Sequence, residues 1–477
     1  MIIDESIDKL REECGVVGIF NHPESANLAY LGLHALQHRG QEAFGIVSCD
    51  DQSGFHTHKT FGLVSDGIDK SKLELLKGSS SIGHNRYSTH GSKYRIENIQ
   101  PFVFNTHTGP LAICHNGNLT NADTLKVELE RQGAIFHSTS DTEIFMHLLA
   151  RTPYGDPKTR IMDVTGRVKG AYSLVVMTPD SLIGVRDPYG YRPLVMGKKD
   201  GATVLASESC ALDLIGAEFV REIKPGEICQ IRKNGVESVY IERKAPENFC
   251  SFEPIYFSRP DSRMNDVDVY AYRSKIGEQL ATESPSPDAD LVIAIPDSGV
   301  AMAMGYAKAA KLPYDVGLVR NHYVGRTFIE PTQAIRDFGV RLKLNPRSTV
   351  LRGKSVVVVD DSIVRGTTSI KIVRMLRNAG AEKIHVRIGS PPITHSCYFG
   401  VDTPNRQNLV AAQKQVSEIR DMLGADSLAF LSVEGLKKAL GHDRGYCFGC
   451  FSGKYAEDIG TKIAEQPTDG SGPGLRA

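Results

Sequence analysis

The apolar positions of this chain change their rhythm once, near residue 245. Before that point short apolar runs dominate: 14–20 (CGVVGIF), 43–49 (AFGIVSC), 111–117 (LAICHNG), 171–177 (AYSLVVM) and 226–232 (GEICQIR). Runs of this length and make-up predict strands. Between them, 121–133 (NADTLKVELERQG) predicts a helix capped by Asn121 and stopped by Gly133. A second helix is predicted over 141–150 (DTEIFMHLLA), opening on acidic residues. The layout of 14–245 is strand-rich α+β.

Beyond RKAPENFC (243–250), strands alternate with helices: 290–295 (DLVIAI), 300–310 (VAMAMGYAKAA), 354–360 (KSVVVVD), 368–380 (TSIKIVRMLRNAG) and 383–388 (KIHVRI). Four valines in a row predict a strand buried on both faces of a parallel sheet. The alternation predicts a doubly wound α/β domain over 246–464. The Arg-, Gly- and aromatic-rich stretch 319–349 has poor periodicity, and loops of that length usually carry function. The tail, 465–477, has the composition of a disordered segment.

With 477 residues, two domains are the natural reading, and 41% hydrophobic content is enough to bury both cores. Lys plus Arg and Asp plus Glu are both 56. A net charge of zero removes any bulk argument for nucleic acid or an anionic membrane as partner. No run of about 18 apolar residues is present. The first residues, MIIDESIDKLREE, lack the apolar core of a secretory signal, so the cytoplasm is the default location. Nine cysteines without a signal sequence argue against a disulfide framework. Cys49, Cys114, Cys210 and Cys229 lie in or beside apolar strands and are expected in the core. The His-x-His pair in 55–59 (FHTHK) is expected on one face of an exposed strand.

The sharpest chemical signal is VVVVDDSIVRGTTS (356–369). A buried strand ends in Asp360 and Asp361, and a loop of Ser362, Arg365, Gly366, Thr367 and Thr368 leads into a helix. The carboxyl ends of parallel strands are where α/β proteins bind ligands. Backbone N–H groups at the helix start, with hydroxyls nearby, suit a phosphate monoester. The two aspartates suit ribose hydroxyls or Mg²⁺. The stretch resembles the phosphoribosyl pyrophosphate signature of type I phosphoribosyltransferases. IPDSGVAMA (295–303) resembles that family's pyrophosphate loop, which implies roles for Asp297 and Ser298, the latter as a Mg²⁺ contact beside Asp360 and Asp361. RNHYVGRTFIEP (320–331) resembles the loop that closes over the substrate, bringing in Tyr323 and Arg326. Closure would keep water from the activated sugar carbon.

In the first half, HALQHRGQEAFGI (34–46), GHNRYSTHG (83–91), ICHNGNLTN (113–121) and HSTSDTEI (137–144) follow Cys14 in order. Together they resemble the glutaminase domain of N-terminal-nucleophile amidotransferases, a four-layer αββα fold. The resemblance implies removal of residues 1–13 as a propeptide, making Cys14 the terminal nucleophile. A free α-amino group has a pKa of roughly 7.7–8.0, close to a thiol near 8.5, and can take the thiol proton. The same resemblance makes Arg86 the fork for the glutamine α-carboxylate and Asp141 the anchor for its α-ammonium. It makes Asn116 and Gly117 the oxyanion hole. The two halves together resemble the amidophosphoribosyltransferase family over about 14–455. That implies ammonia passing from glutamine to C1 of phosphoribosyl pyrophosphate in the first committed step of purine synthesis. It also implies feedback by purine nucleotides and a homotetramer.

Cys447-x-x-Cys450 fits zinc, redox chemistry or chance when read alone. With Cys250 and Cys397, all four align with the iron–sulfur ligands of the propeptide-bearing branch of the family, which implies a [4Fe–4S] cluster. Zinc would also accept four thiolates. Three competing functions share parts of the pattern. Another glutamine amidotransferase would lack 356–369, and a salvage phosphoribosyltransferase would have no use for Cys14. A purine-responsive repressor would need a DNA-reading module, and no basic domain or helix-turn-helix is evident.

Overall fold

The computed structural model describes residues 14–87, 95–152, 155–242, 245–321, 343–441, 445–457 and 459. The expected propeptide, Tyr323, Arg326 and the tail lie outside the described residues.

The first half is built on two antiparallel sheets. One runs, edge to edge, Glu218–Glu222, Val195–Lys199, Ala202–Ala206, Gly15–Phe20, Ser80–Arg86, Ala43–Cys49 and Phe55–Phe61. The other runs Gly235–Tyr240, Glu227–Arg232, Leu182–Arg186, Gly170–Met177, Gly109–Leu119 and Phe102–Thr106. Alternation sorts the side chains of each strand to two faces. In Gly15–Phe20, Val16 and Phe20 meet Ala112, Val175 and Leu205 between the sheets, whereas Val17 and Ile19 pack outward under the helix Ser25–Ala35. On the far side Ile113, Leu174 and Val176 pack under the helices Ala122–Arg131, Thr142–Arg151 and Pro157–Thr165. The stack is helix, sheet, sheet, helix, the expected αββα arrangement.

Asn121 stands at the N-cap of Ala122–Arg131, yet its side chain does not cap. Its amide donates to the Arg167 carbonyl and accepts from the Lys169 N–H, tying down a neighbouring turn instead. Gly133 ends the segment with φ of +85°, as expected of a glycine stop. The strand Phe55–Phe61 is half-buried rather than exposed, and its two histidines are spoken for. His56 pairs with Asp50 at 2.8 Å and His58 with the Gly67 carbonyl at 3.1 Å.

The second half centres on a four-stranded parallel sheet in the order Leu291–Ala294, Ser355–Asp360, Lys383–Ile388 and Ser427–Phe430. All six residues of Ser355–Asp360 are buried. Val357 and Val359 pack against Val269–Glu283 and Val300–Ala310, while Val356 and Val358 pack against Thr367–Asn378. Helices on both faces explain the unbroken valine run.

Among the described residues no helix is long and apolar enough to cross a membrane. Cys49, Cys114, Cys210 and Cys229 are buried and unpaired, as expected of core residues.

Candidate functional site

Cys14 lies at the edge of the Gly15–Phe20 strand, in the middle of its sheet, with Arg86 at the end of the neighbouring strand. Its thiol is buried and donates to the Tyr87 carbonyl at 3.4 Å. Burial pushes the thiol up to about 11, against the opposing pull of that hydrogen bond and of Arg86. Glu42 and Asp141 also act on the thiol electrostatically, so Arg86, Glu42 and Asp141 share its surroundings. Thirteen residues precede Cys14 in this chain, so its nitrogen is a peptide nitrogen that cannot act as a base.

Asn116 and Gly117 are presented by Gly109–Leu119, a strand of the facing sheet. Gly117 has φ of +144°, and a Cβ there would fall 2.1 Å from the Ala171 carbonyl oxygen. Only glycine fits this strained, close-packed position. Asn116 is fully buried, and neither atom of its amide has a hydrogen-bond partner among the described residues. Buried polar groups are nearly always paired, and an exception asks for a functional reason. Asp141 is buried and accepts from the Leu119 N–H at 2.9 Å, so the same strand sets the position of both groups.

Sequence reasoning missed Arg39, although it lies within the quoted segment 34–46. Its Nε donates to the Cys14 carbonyl at 3.3 Å, and its other nitrogens reach Glu208 and Glu253 at 2.6 Å. Burial draws the guanidinium down, but the two carboxylates, Glu253 foremost, raise it overall and keep it charged. Glu253 belongs to the second half and also takes Arg192 at 3.4 Å. A buried ionic network therefore joins the Cys14 backbone to the second half of the chain.

In the second half, Asp360 and Asp361 close the central parallel strand. The Asp361 carboxylate accepts from the hydroxyls of Ser298 at 2.5 Å and Ser362 at 2.6 Å. Ser298 thus lies against Asp361. Asp360 accepts from the Asp361 N–H at 2.9 Å. Gly366, with φ of +85°, turns the chain into Thr367–Asn378, leaving Arg365 and Thr367 exposed and Thr368 half-buried beside it. Asp297 is exposed and forms an ion pair with Arg320, a residue sequence reasoning did not single out. Two carboxylates and hydroxyls offer hard oxygen donors, which suit Mg²⁺ when substrate phosphates complete its shell.

The segment 398–402 bridges the halves. The Tyr398 carbonyl accepts from Asn118 at 3.0 Å, and Asp402 accepts from the Tyr87 hydroxyl at 3.1 Å. Gly400, at φ +108°, lies so close to Gly117 that a Cβ would meet its Cα at 3.1 Å. Next to this segment Cys250, Cys397, Cys447 and Cys450 line one cavity together with Tyr191, Arg192 and Phe399. Cys250 and Cys447 are register partners in a short parallel pair. The Phe399 N–H donates to the Cys397 sulfur at 3.3 Å. Burial raises Cys250 to about 11 against the pull of Arg192, and burial followed by the neighbouring thiols raises Cys447 to about 12 and Cys450 well above its ordinary value. Among the described residues no three His, Cys, Asp or Glu side chains are grouped so as to hold a metal ion.

Two domain families match in the order the fold presents them: a glutamine amidotransferase domain over 84–213 and a phosphoribosyl transferase domain over 278–388. Amidophosphoribosyltransferase 1, chloroplastic, of Arabidopsis thaliana is 54% identical over 95% of this chain and 80% of its own length. The amidophosphoribosyltransferase of Bacillus subtilis is 47% identical over 95% of this chain and 96% of its own. The chain belongs to the amidophosphoribosyltransferase family. The solved B. subtilis glutamine phosphoribosylpyrophosphate amidotransferase, in complex with ADP and GMP, superposes with a TM-score of 0.89 over 94% of this chain and 98% of its own. A second solved structure, of the allosteric regulatory enzyme of purine biosynthesis, gives 0.90 at 46% identity over 95% of this chain and 98% of its own. As a member of this family the chain is a pentosyltransferase. It uses glutamine as nitrogen donor and phosphoribosyl pyrophosphate as acceptor, in purine biosynthesis.

Proposed function

We propose that Cys14, freed by removal of residues 1–13, is the nucleophile that releases ammonia from glutamine. In this reading domain 14–245 hydrolyses glutamine, and domain 246–464 holds the phosphoribosyl pyrophosphate that the ammonia attacks at C1, displacing pyrophosphate. The observation that carries it is the amide of Asn116, unpartnered among the described residues, beside Gly117 on the strand that also fixes Asp141. Asn116 and the Gly117 N–H stabilise the oxyanion formed when the thiolate adds to the amide. Arg86 forks onto the α-carboxylate of glutamine, and Asp141 takes its α-ammonium. The high thiol pKa supports processing: a buried thiol without a base stays protonated, and the new α-amine supplies that base.

At the second site Asp360 and Asp361 address the ribose hydroxyls and, with Ser298, a Mg²⁺ ion. Ser362, Arg365, Gly366, Thr367 and Thr368 cradle the 5-phosphate, and Asp297 belongs to the pyrophosphate loop. Tyr323 and Arg326, outside the described residues, complete the set by family resemblance. Mg²⁺ would neutralise the leaving pyrophosphate.

The four-cysteine cavity supports a [4Fe–4S] centre. It offers four thiols, an N–H directed at one sulfur and the Arg192 guanidinium as countercharge. Its role would be structural, tying Cys250 to the C-terminal segment. Feedback by purine nucleotides, a homotetramer and a cytoplasmic location complete the reading.

The test is intact mass spectrometry of the purified protein, with iron and acid-labile sulfide analysis and a glutaminase assay. The reading expects a mature chain starting at Cys14, iron and sulfide in equal amounts, and no glutamate release from Cys14→Ala. An uncleaved chain that hydrolyses glutamine as fast as the trimmed one overturns it.

A further inference from the structure

His115, which has been given no task so far, stands behind both Gly117 and Asp141. It is 2% exposed, and both ring nitrogens face protein atoms. Nε2 lies 3.3 Å from the Ala171 carbonyl, which can only accept, so Nε2 carries the proton. In the neutral ring Nδ1 is then the acceptor, and the Thr142 hydroxyl donates to it at 3.2 Å. That hydroxyl accepts from the Gln100 side-chain amide at 3.0 Å. The Gln100 carbonyl oxygen accepts in turn from the His115 backbone N–H at 2.7 Å. The bonds form a closed ring in which every donor and acceptor agrees, and such a ring fixes one orientation of the imidazole.

This fixed imidazole is a wedge between the two recognition elements. Nδ1 lies 3.7 Å from Asp141 Oδ1, while Asp141 Oδ2 takes the Leu119 N–H. On the other side Nε2 sits where a Cβ on Gly117 would come within 2.9 Å. The edge of Phe145 closes the remaining side, with ring centroids 5.6 Å apart. The geometry points to His115 as a positioning residue that aims Asp141 at the substrate's α-ammonium, so that it sets the preference for glutamine over the same amide lacking an α-amino group. This inference rests on the assignment of Asp141 as the ammonium anchor. Its own nitrogens are committed to protein atoms, so His115 acts on the ligand only through the groups it backs, of which Asp141 is the one assigned to the α-ammonium.

The experiment compares glutamine with 4-carbamoylbutanoate, which keeps the carboxylate and the amide but has no α-amino group. A charge-assisted hydrogen bond that loses its aim costs about tenfold in affinity. His115→Ala should lower the ratio of kcat/KM for glutamine to that for the analogue by about tenfold, through the KM for glutamine. Synthesis supported by added ammonium chloride should stay at the wild-type rate, reporting an intact fold. His115→Gln, whose amide can still donate to the Ala171 carbonyl, should recover part of the ratio. If His115→Ala does not accumulate, His115→Phe keeps an aromatic ring in place without either nitrogen and should lower the ratio alike. Equal losses on the two substrates overturn the inference. An unchanged ratio in the His115 variants, with Asp141→Asn collapsing it, overturns the inference alone. An unchanged ratio in Asp141→Asn overturns the anchor assignment and the inference with it.

Discussion

Replacing Asn116 by alanine should separate activity from stability. The side chain is fully buried in the strand Gly109–Leu119, and both atoms of its amide lack a hydrogen-bond partner among the described residues. An unpaired buried polar group costs roughly 1–3 kcal/mol in lost hydration, which truncation returns. Against this, the void left by so few atoms costs on the order of 1 kcal/mol. The folded state should therefore be unchanged or stabilised by up to about 2 kcal/mol. Loss of an oxyanion-hole donor costs roughly 2.7–4 kcal/mol of transition-state binding, or about a hundredfold to a thousandfold in kcat. The assays are glutamate release by the trimmed enzyme and thermal unfolding of the same preparation. Glutaminase turnover within about threefold of wild type would refute the reasoning. So would a clear fall in the melting temperature, because it would make the amide a structural bond.

Gly400→Ala forces a side chain into a positive-φ position against the Gly117 Cα, so glutaminase turnover should fall while ammonia-supported synthesis survives; parallel assays check this. Asp361→Asn disturbs a carboxylate that accepts two serine hydroxyls, so synthesis from either nitrogen source should be lost; pyrophosphate release measures it. In the uncleaved chain the Cys14 thiol titrates near 11, so only about one molecule in a thousand is a thiolate at pH 8. Alkylation of this thiol by iodoacetamide should accelerate as pH rises towards 11, and should be fast near neutrality once the α-amine is free; peptide mapping follows it. Arg39→Met removes a cation that two buried carboxylates share, so it should destabilise the protein by roughly 3–5 kcal/mol, read by denaturant unfolding.

How much of this was legible in the sequence depended on how far apart the cooperating residues lie. The strand that leads into Asp360 and Asp361, its loop and the start of its helix fall within the fourteen consecutive residues 356–369, so local pattern and ligand chemistry coincide. The valine run predicted burial on both faces, and helices cover both. Asn116, Gly117 and Asp141 could be named because their motifs are short. Their physical coupling through Leu119 N–H and His115 could not, since it depends on how one strand folds against one helix. Arg39 is separated from Glu208 and Glu253 by 169 and 214 residues, and no local periodicity encodes such a network. Asn121 shows the converse failure. Its residue type fits a cap, but the turn at 167–169 competes for the same side chain and wins. The approach of Gly400 to Gly117 was equally hidden, because a lone glycine in a loop carries no sign of what it touches.

The central claim is that the nitrogen placed on the sugar at the aspartate pair comes from glutamine opened at Cys14. Trimmed enzyme should be given phosphoribosyl pyrophosphate and glutamine carrying heavy nitrogen in its amide, in a buffer of unlabelled ammonium chloride. The account predicts phosphoribosylamine bearing the heavy label, with glutamate and pyrophosphate released in equal amounts and none of this transfer in Cys14→Ala. Product carrying mainly unlabelled nitrogen, or labelled product from the Cys14→Ala enzyme, would contradict it.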